Sequence, residues 1–163
     1  YSQLHGLAED KLRGRQPDCL LQPTMLVHEA YLRIFGEPVR AESFENRRHF
    51  FAAMARAMQQ VLVDYARRRL AQKRRVPQHP AAAEPDLAQE PAVKGRCEEI
   101  LQVDECLKRL EEEDPQAAEV VRMRFFGGYT MAEAAQTLGV SLRTAQRLWS
   151  FAQARLRQWM KEG

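Results

Sequence analysis

Apolar residues recur at three- and four-residue intervals through most of the chain, the period of an amphipathic helix. No two-residue alternation or hairpin signal of a strand is present. Leu4, Leu7, Ala8 and Leu12 predict a helix over 3–14. Thr24 stands where an N-cap belongs. The helix it opens carries Leu26, Val27, Ala30, Tyr31 and Ile34 on one face, with His28, Glu29 and Arg33 off it, and Gly36 and Pro38 end it. Ser43 starts a longer helix, from about Glu45 to Arg75, with Phe50, Phe51, Met54, Met58, Val61, Leu62 and Tyr65 as its apolar set.

The pattern stops over 76–97, which contains four of the eight prolines, Pro77, Pro80, Pro85 and Pro91. Proline removes a backbone donor and biases the preceding residue away from helix, so this stretch reads as an extended tether. The period resumes from about Glu98 to Glu113, with Ile100, Leu101, Val103, Cys106, Leu107 and Leu110. Asp114-Pro115 opens a helix that holds Ala118, Val121 and Phe125 and stops at Gly127-Gly128. Thr130 then caps a short helix, Gly139 permits a positive-φ turn, and Ser141 caps a last helix from Leu142 to Leu156. Leu148, Phe151, Ala152 and Leu156 are its expected core residues, with Trp149 packing beside them. The fold class is therefore all-α: two small helical domains, 1–75 and 98–163, joined by a proline-rich linker over 76–97.

The helix, Gly-containing turn and helix over 130–156 form a helix-turn-helix layout, whose second helix enters a DNA major groove. Arg143, Thr144, Gln146 and Arg147 project from the first turns of that second helix. Arginine and glutamine pair in bidentate fashion with guanine and adenine edges.

Charge strengthens this picture. The net charge is +3, but residues 1–75 hold 14 basic and 8 acidic residues, 98–119 hold 2 and 9, and 120–163 hold 7 and 2. Two basic blocks flanking an acidic one point to a polyanionic partner. The acidic stretch is expected to shield a basic face of the free protein. Six basic residues crowd between Arg67 and Arg75, more than capping of a helix end requires.

Other classes drop out. No apolar run approaches the roughly 20 residues that span a bilayer. Three cysteines (Cys19, Cys97 and Cys106) cannot build a disulfide framework and fit reduced thiols in a cytoplasmic protein. The four histidines share no metal-like spacing with them, so no metal and no cofactor is expected. No G-x-x-x-x-G-K-[ST], H-E-x-x-H or G-x-S-x-G motif occurs, and His28 beside Glu29 reads as a partner contact rather than an acid–base pair.

Five ordered blocks then carry a family resemblance: LQPTMLVHEAYLR (21–33), HFFAAMARAM (49–58), VDYARRR (63–69), VRMRFFGGY (121–129) and LGVSLRTAQRLW (138–149). Together they span both helical blocks, and the chain resembles the extracytoplasmic-function (ECF) group of bacterial sigma factors. Within that group it looks closest to the subset marked by the LQPT-LVHEAYLR block. The resemblance implies a transcription initiation factor whose first domain grips the polymerase clamp and opens the promoter −10 element, while its second reads the −35 element and docks on the polymerase flap.

Carried over by position, Leu26, Val27, His28, Glu29, Tyr31 and Arg33 fall on the clamp-binding helix. Residues 37–49 fall on the loop that captures a flipped −10 base, with Phe44, Asn46, His49 and Phe50 as candidates, and Gln59 and Gln60 lie on the helix beside it. Arg67, Arg68, Arg69 and Lys73 would contact phosphates, and Ser141, Arg143, Thr144, Gln146 and Arg147 would serve the −35 major groove. The implied partners are core RNA polymerase and promoter DNA, with an anti-sigma factor a further partner that the resemblance allows. No membrane and no small-molecule substrate are implied.

The chain departs from its relatives at Met25, where many have an acidic residue, and at Gln59 and Gln60, where this subset tends to have arginine. Ala134 and Ala145 replace bulkier aliphatics, which predicts looser packing of the helix-turn-helix. The alternative reading is a stand-alone helix-turn-helix regulator. The LVHEAYLR helix separates the two, because a plain repressor has no need of it.

Overall fold

The computed structural model describes residues 21–36, 46–74 and 90–163. The helix expected over 3–14, Ser43, Phe44, Cys19 and residues 75–89 lie outside the described residues. The fold is all-α, without strands among the described residues.

Helix α1 runs Pro23–Phe35 and α2 runs Arg47–Arg74. The N-cap of α1 is Gln22, not Thr24, because Pro23 takes the first helical position, where its missing N–H costs nothing. Helix α2 begins after Asn46, whose Oδ1 accepts the backbone N–H of His49 at 2.9 Å and so caps the helix. Leu26, Val27 and Ala30 of α1 pack on α2, which buries Met54, Ala55, Met58, Val61, Leu62 and Ala66.

Helix α3 spans Glu90–Glu113 and starts eight residues earlier than the expected Glu98. Pro91 sits in its first turn, where proline is tolerated, and the ion pairs Lys94–Glu98 (3.7 Å) and Arg96–Glu99 (3.8 Å) support the two turns that follow. Cys97 is buried and extends the stripe Ile100, Val103, Leu107 and Leu110 by one step. The extended-tether reading of 76–97 therefore fails for 90–97, and the rest of that stretch lies outside the described residues.

Helix α4 (Pro115–Val121) opens at Asp114, whose Oδ1 accepts the Ala117 N–H at 3.0 Å. It runs directly into a π turn over Arg122–Phe126, in which the Gly127 N–H reaches the Arg122 carbonyl at 3.0 Å. Val120, Val121, Arg122 and Met123 are all buried, since α2, α3 and the last helix enclose this segment. Helices α5 (Met131–Leu138) and α6 (Leu142–Glu162) complete the chain.

The last helix exceeds its expected end because Trp159 carries the buried stripe Ala145, Leu148, Ala152 and Leu156 one turn further. Phe151 is not core as expected: it lies one position off that stripe and is 40% exposed. One contiguous buried cluster runs from Leu26 on α1 to Trp159 on α6, so α2 packs on α1 along one side and on α3, the π turn and α5 along another.

Candidate nucleic-acid interface

The α5–turn–α6 unit is built from local signals. Thr130 Oγ1 accepts the Glu133 N–H at 3.1 Å while Glu133 Oε2 accepts the Thr130 N–H at 2.7 Å, a reciprocal capping box. Gly139 ends α5 at φ 70°, in the left-handed region where glycine avoids the Cβ penalty. Ser141 Oγ accepts the Thr144 N–H at 3.1 Å and donates to Thr144 Oγ1 at 3.0 Å. Ala134 and Ala145 are both fully buried, so their small side chains let the two helices approach closely.

Beyond that turn, Arg143, Gln146 and Arg147 are exposed and Thr144 is half-buried. Four positions in the first turns of the helix, on either side of buried Ala145, thus offer donors and acceptors to solvent, beside the positive end of the helix dipole. The basic C-terminal block divides in two. Arg122, Arg124 and Arg155 are spent internally: Arg124 Nη1 donates to the Tyr129 carbonyl at 2.7 Å, and Arg155 clamps Glu113, with Nε to Oε2 at 2.8 Å. That clamp holds the Glu113 carboxyl below its ordinary range, chiefly through the hydrogen bond from Arg155. Arg143, Arg147, Arg157 and Lys161 remain exposed.

The other candidates lie on α1 and α2. Leu26 and Val27, expected among the clamp-binding residues, are buried under α1 and seat that helix on α2. His28, Glu29, Tyr31 and Arg33 are exposed, and with them Met25, Leu32 and Phe35. Arg33 Nη2 bonds Asp64 Oδ2 at 2.5 Å and ties α1 to α2. An open groove of about 320 Å³ between these helices brings Glu29 and Arg33 together with Arg68 and Arg69. Arg67 and Arg68 are exposed and Arg69 is half-buried, while the side chain of Lys73 lies outside the described residues. Asn46, His49 and Gln60 are exposed; the Asn46 carboxamide oxygen is occupied by its capping bond.

Gln59 is different, because the structure draws it inward. Its Nε2 donates to Asp104 Oδ1 at 2.7 Å, and its Oε1 accepts from Arg122 Nε at 2.6 Å. Arg122 also donates from Nη1 to Glu119 Oε1 at 2.6 Å and from Nη2 to Glu111 Oε2 at 3.4 Å. Arg56, exposed on α2, pairs with the same Glu119. Sequence reading missed Arg56, Asp104, Glu119 and Arg122. The one available signal was the acidic stretch 98–119, whose members Glu111 and Glu119 pair with exposed Arg56.

An aromatic series, Tyr31, Phe35, Phe50, Phe51 and Tyr129, crosses from α1 over α2 to the segment before α5, with successive ring centroids 4.4, 6.3, 5.6 and 6.0 Å apart. The Tyr129 hydroxyl donates to the Phe51 carbonyl, and burial pushes its pKa well above the ordinary tyrosine value, with Glu133 adding to the effect. Among the described residues no group of His, Cys, Asp and Glu could hold a metal, and no helix is long and apolar enough to cross a membrane.

Neither a curated protein nor a solved structure matches the chain. The family model described as ECF sigma factor matches residues 1–162. Matched over nearly its whole length, the chain belongs to the ECF sigma factors, the transcription initiation factors that direct RNA polymerase to promoters.

Proposed function

We propose that this chain, bound to core polymerase, reads the −35 element with α6 and recognises and opens the −10 element with the α2 side of its first domain. The observation that carries the reading is the exposed row Arg143, Gln146 and Arg147 on the first turns of α6, behind a turn capped by Ser141. Seated in a major groove, such a row selects sequence through bidentate pairing, while Ser141 and the first-turn amides approach the phosphates. At the −10 element Arg67, Arg68, Arg69 and Lys73 supply phosphate contacts, and Asn46, His49, Gln59 and Gln60 hold unstacked bases.

The exposed face of α1, with His28, Glu29, Tyr31 and Arg33, is the clamp-binding surface, and the second domain docks on the flap. Leu26 and Val27 support that surface from beneath. The linker lets two modest DNA contacts act together through effective concentration. The protein works in the cytoplasm by binding alone, without bond chemistry, and an anti-sigma factor would silence it by covering these faces.

The test is to map transcription starts made by core polymerase plus this chain on a genomic fragment library. Starts preceded by two shared motifs at −35 and −10 are expected, and Arg147→Ala should relax the upstream motif. Scattered starts with no shared motif would overturn the reading.

A further inference from the structure

We infer that Leu142 is a specificity-determining residue for the upstream element: it reads the 5-methyl group of a thymine within about two base pairs of the base taken by Gln146. The inference rests on the −35 reading above and adds to it an apolar contact that the polar row cannot supply.

Leu142 is the first residue of α6, is 48% exposed and lies outside the buried cluster. No local role accounts for it. The apolar positions that staple a helix start are the residue before the cap and the fourth residue of the helix. Here they are Val140, half-buried, and Ala145, fully buried. The other large exposed apolar side chain on α6, Phe151, lies nine residues further on. That puts it about 14 Å along the axis and about half a turn round it, on a different face. A lone exposed leucine elsewhere on a surface needs no explanation. Leu142 stands directly between the cap Ser141 and the exposed Arg143, where DNA binding strips its water whatever it meets.

Its placement points at base edges. Leu142 and Gln146 are four residues apart, about 6 Å along the axis and about 40° around it. A helix that brings Gln146 to a base edge therefore carries Leu142 into the same groove, one turn nearer the helix start. At about 3.4 Å per base pair, the two side chains address bases about two pairs apart. The thymine methyl is the apolar group that the major-groove edges offer. Leucine set against guanine, adenine or cytosine covers donors and acceptors without replacing their bonds to water, which costs free energy. Set against thymine, it buries apolar surface on apolar surface. Leu142 thus favours thymine and penalises the other bases at one position, whereas Arg143, Gln146 and Arg147 select through hydrogen bonds.

The experiment uses holoenzyme, core polymerase plus the full chain, on duplexes carrying the upstream motif of the mapped starts. Each thymine is replaced singly by deoxyuridine, which removes the methyl group and keeps the base pair. Wild-type holoenzyme should bind one of these duplexes about fourfold more weakly, the weight of one buried methyl group. Leu142→Ala holoenzyme should bind the thymine and deoxyuridine forms of that duplex equally. Its helix content should match the wild type, because the side chain is exposed and alanine is the better helix former. Deoxyuridine forms that all bind the wild type as well as thymine does, or a penalty that persists in Leu142→Ala, would overturn the inference and leave the −35 reading standing. Failure of that reading shows separately, as holoenzyme that binds the motif no more tightly than a scrambled duplex, and it takes the role of Leu142 with it.

Discussion

Gln59 on α2 accepts a hydrogen bond from Arg122 Nε at 2.6 Å across 63 residues of chain. This pair joins the two helical units through a side chain that the family resemblance assigns to the promoter. It makes buried Arg122 the hub of a network that also holds Glu119 and the more exposed Glu111.

Arg122→Ala should therefore destabilise the chain by about 1–3 kcal/mol, because it leaves the Gln59 carboxamide oxygen without its donor and Glu119 with Arg56 alone. Urea denaturation followed by circular dichroism measures this. A loss below 1 kcal/mol would mean that the network contributes little.

Tyr129→Phe keeps the ring against Phe51 and removes one hydroxyl bond, so about 0.5–1.5 kcal/mol should be lost at neutral pH. The pH dependence has a definite sign. Tyr129 holds its proton more tightly folded than unfolded, so its contribution is constant below the ordinary value of 10.0 and declines as pH rises past it. The wild type should lose urea resistance between about pH 10 and 12 faster than Tyr129→Phe. Parallel curves would contradict that assignment.

Gly139→Ala should cost about 1–2 kcal/mol, since φ 70° penalises a Cβ and the new methyl group meets Arg48. Gly139→Asn should cost less on the backbone side, as asparagine tolerates the left-handed region. Thermal melts of both variants decide. Equal stability of glycine and alanine would contradict the turn geometry.

Arg147 is exposed and carries no fold role, so Arg147→Ala should leave the melting temperature unchanged. It should weaken binding to a preferred −35 sequence by about 1–3 kcal/mol, and random DNA by less. An equal loss on every sequence would make it a phosphate contact.

These contrasts follow how far each feature was legible in the chain. The α5–turn–α6 unit was readable because its determinants are local: Thr130 and Glu133, Gly139, and Ser141 and Thr144 each act within three or four residues. The early start of α3 was hidden by Pro91, whose position in a first turn makes it harmless although the prolines around it suggested a tether. Phe151 sits one residue from Ala152, so periodicity alone could not tell stripe from edge. The Gln59 network was illegible, since Asp104 and Arg122 lie 45 and 63 residues away and only tertiary packing brings them together. Leu26 and Val27 show the converse: a motif that resembles a partner surface mixes exposed residues with the core beneath them.

Run-off transcription from one mapped promoter, with core RNA polymerase in the presence and absence of the chain, tests the central claim most directly. A discrete transcript that requires the chain and fades with Arg143→Ala/Arg147→Ala is the predicted result. An identical transcript pattern with and without the chain would contradict it.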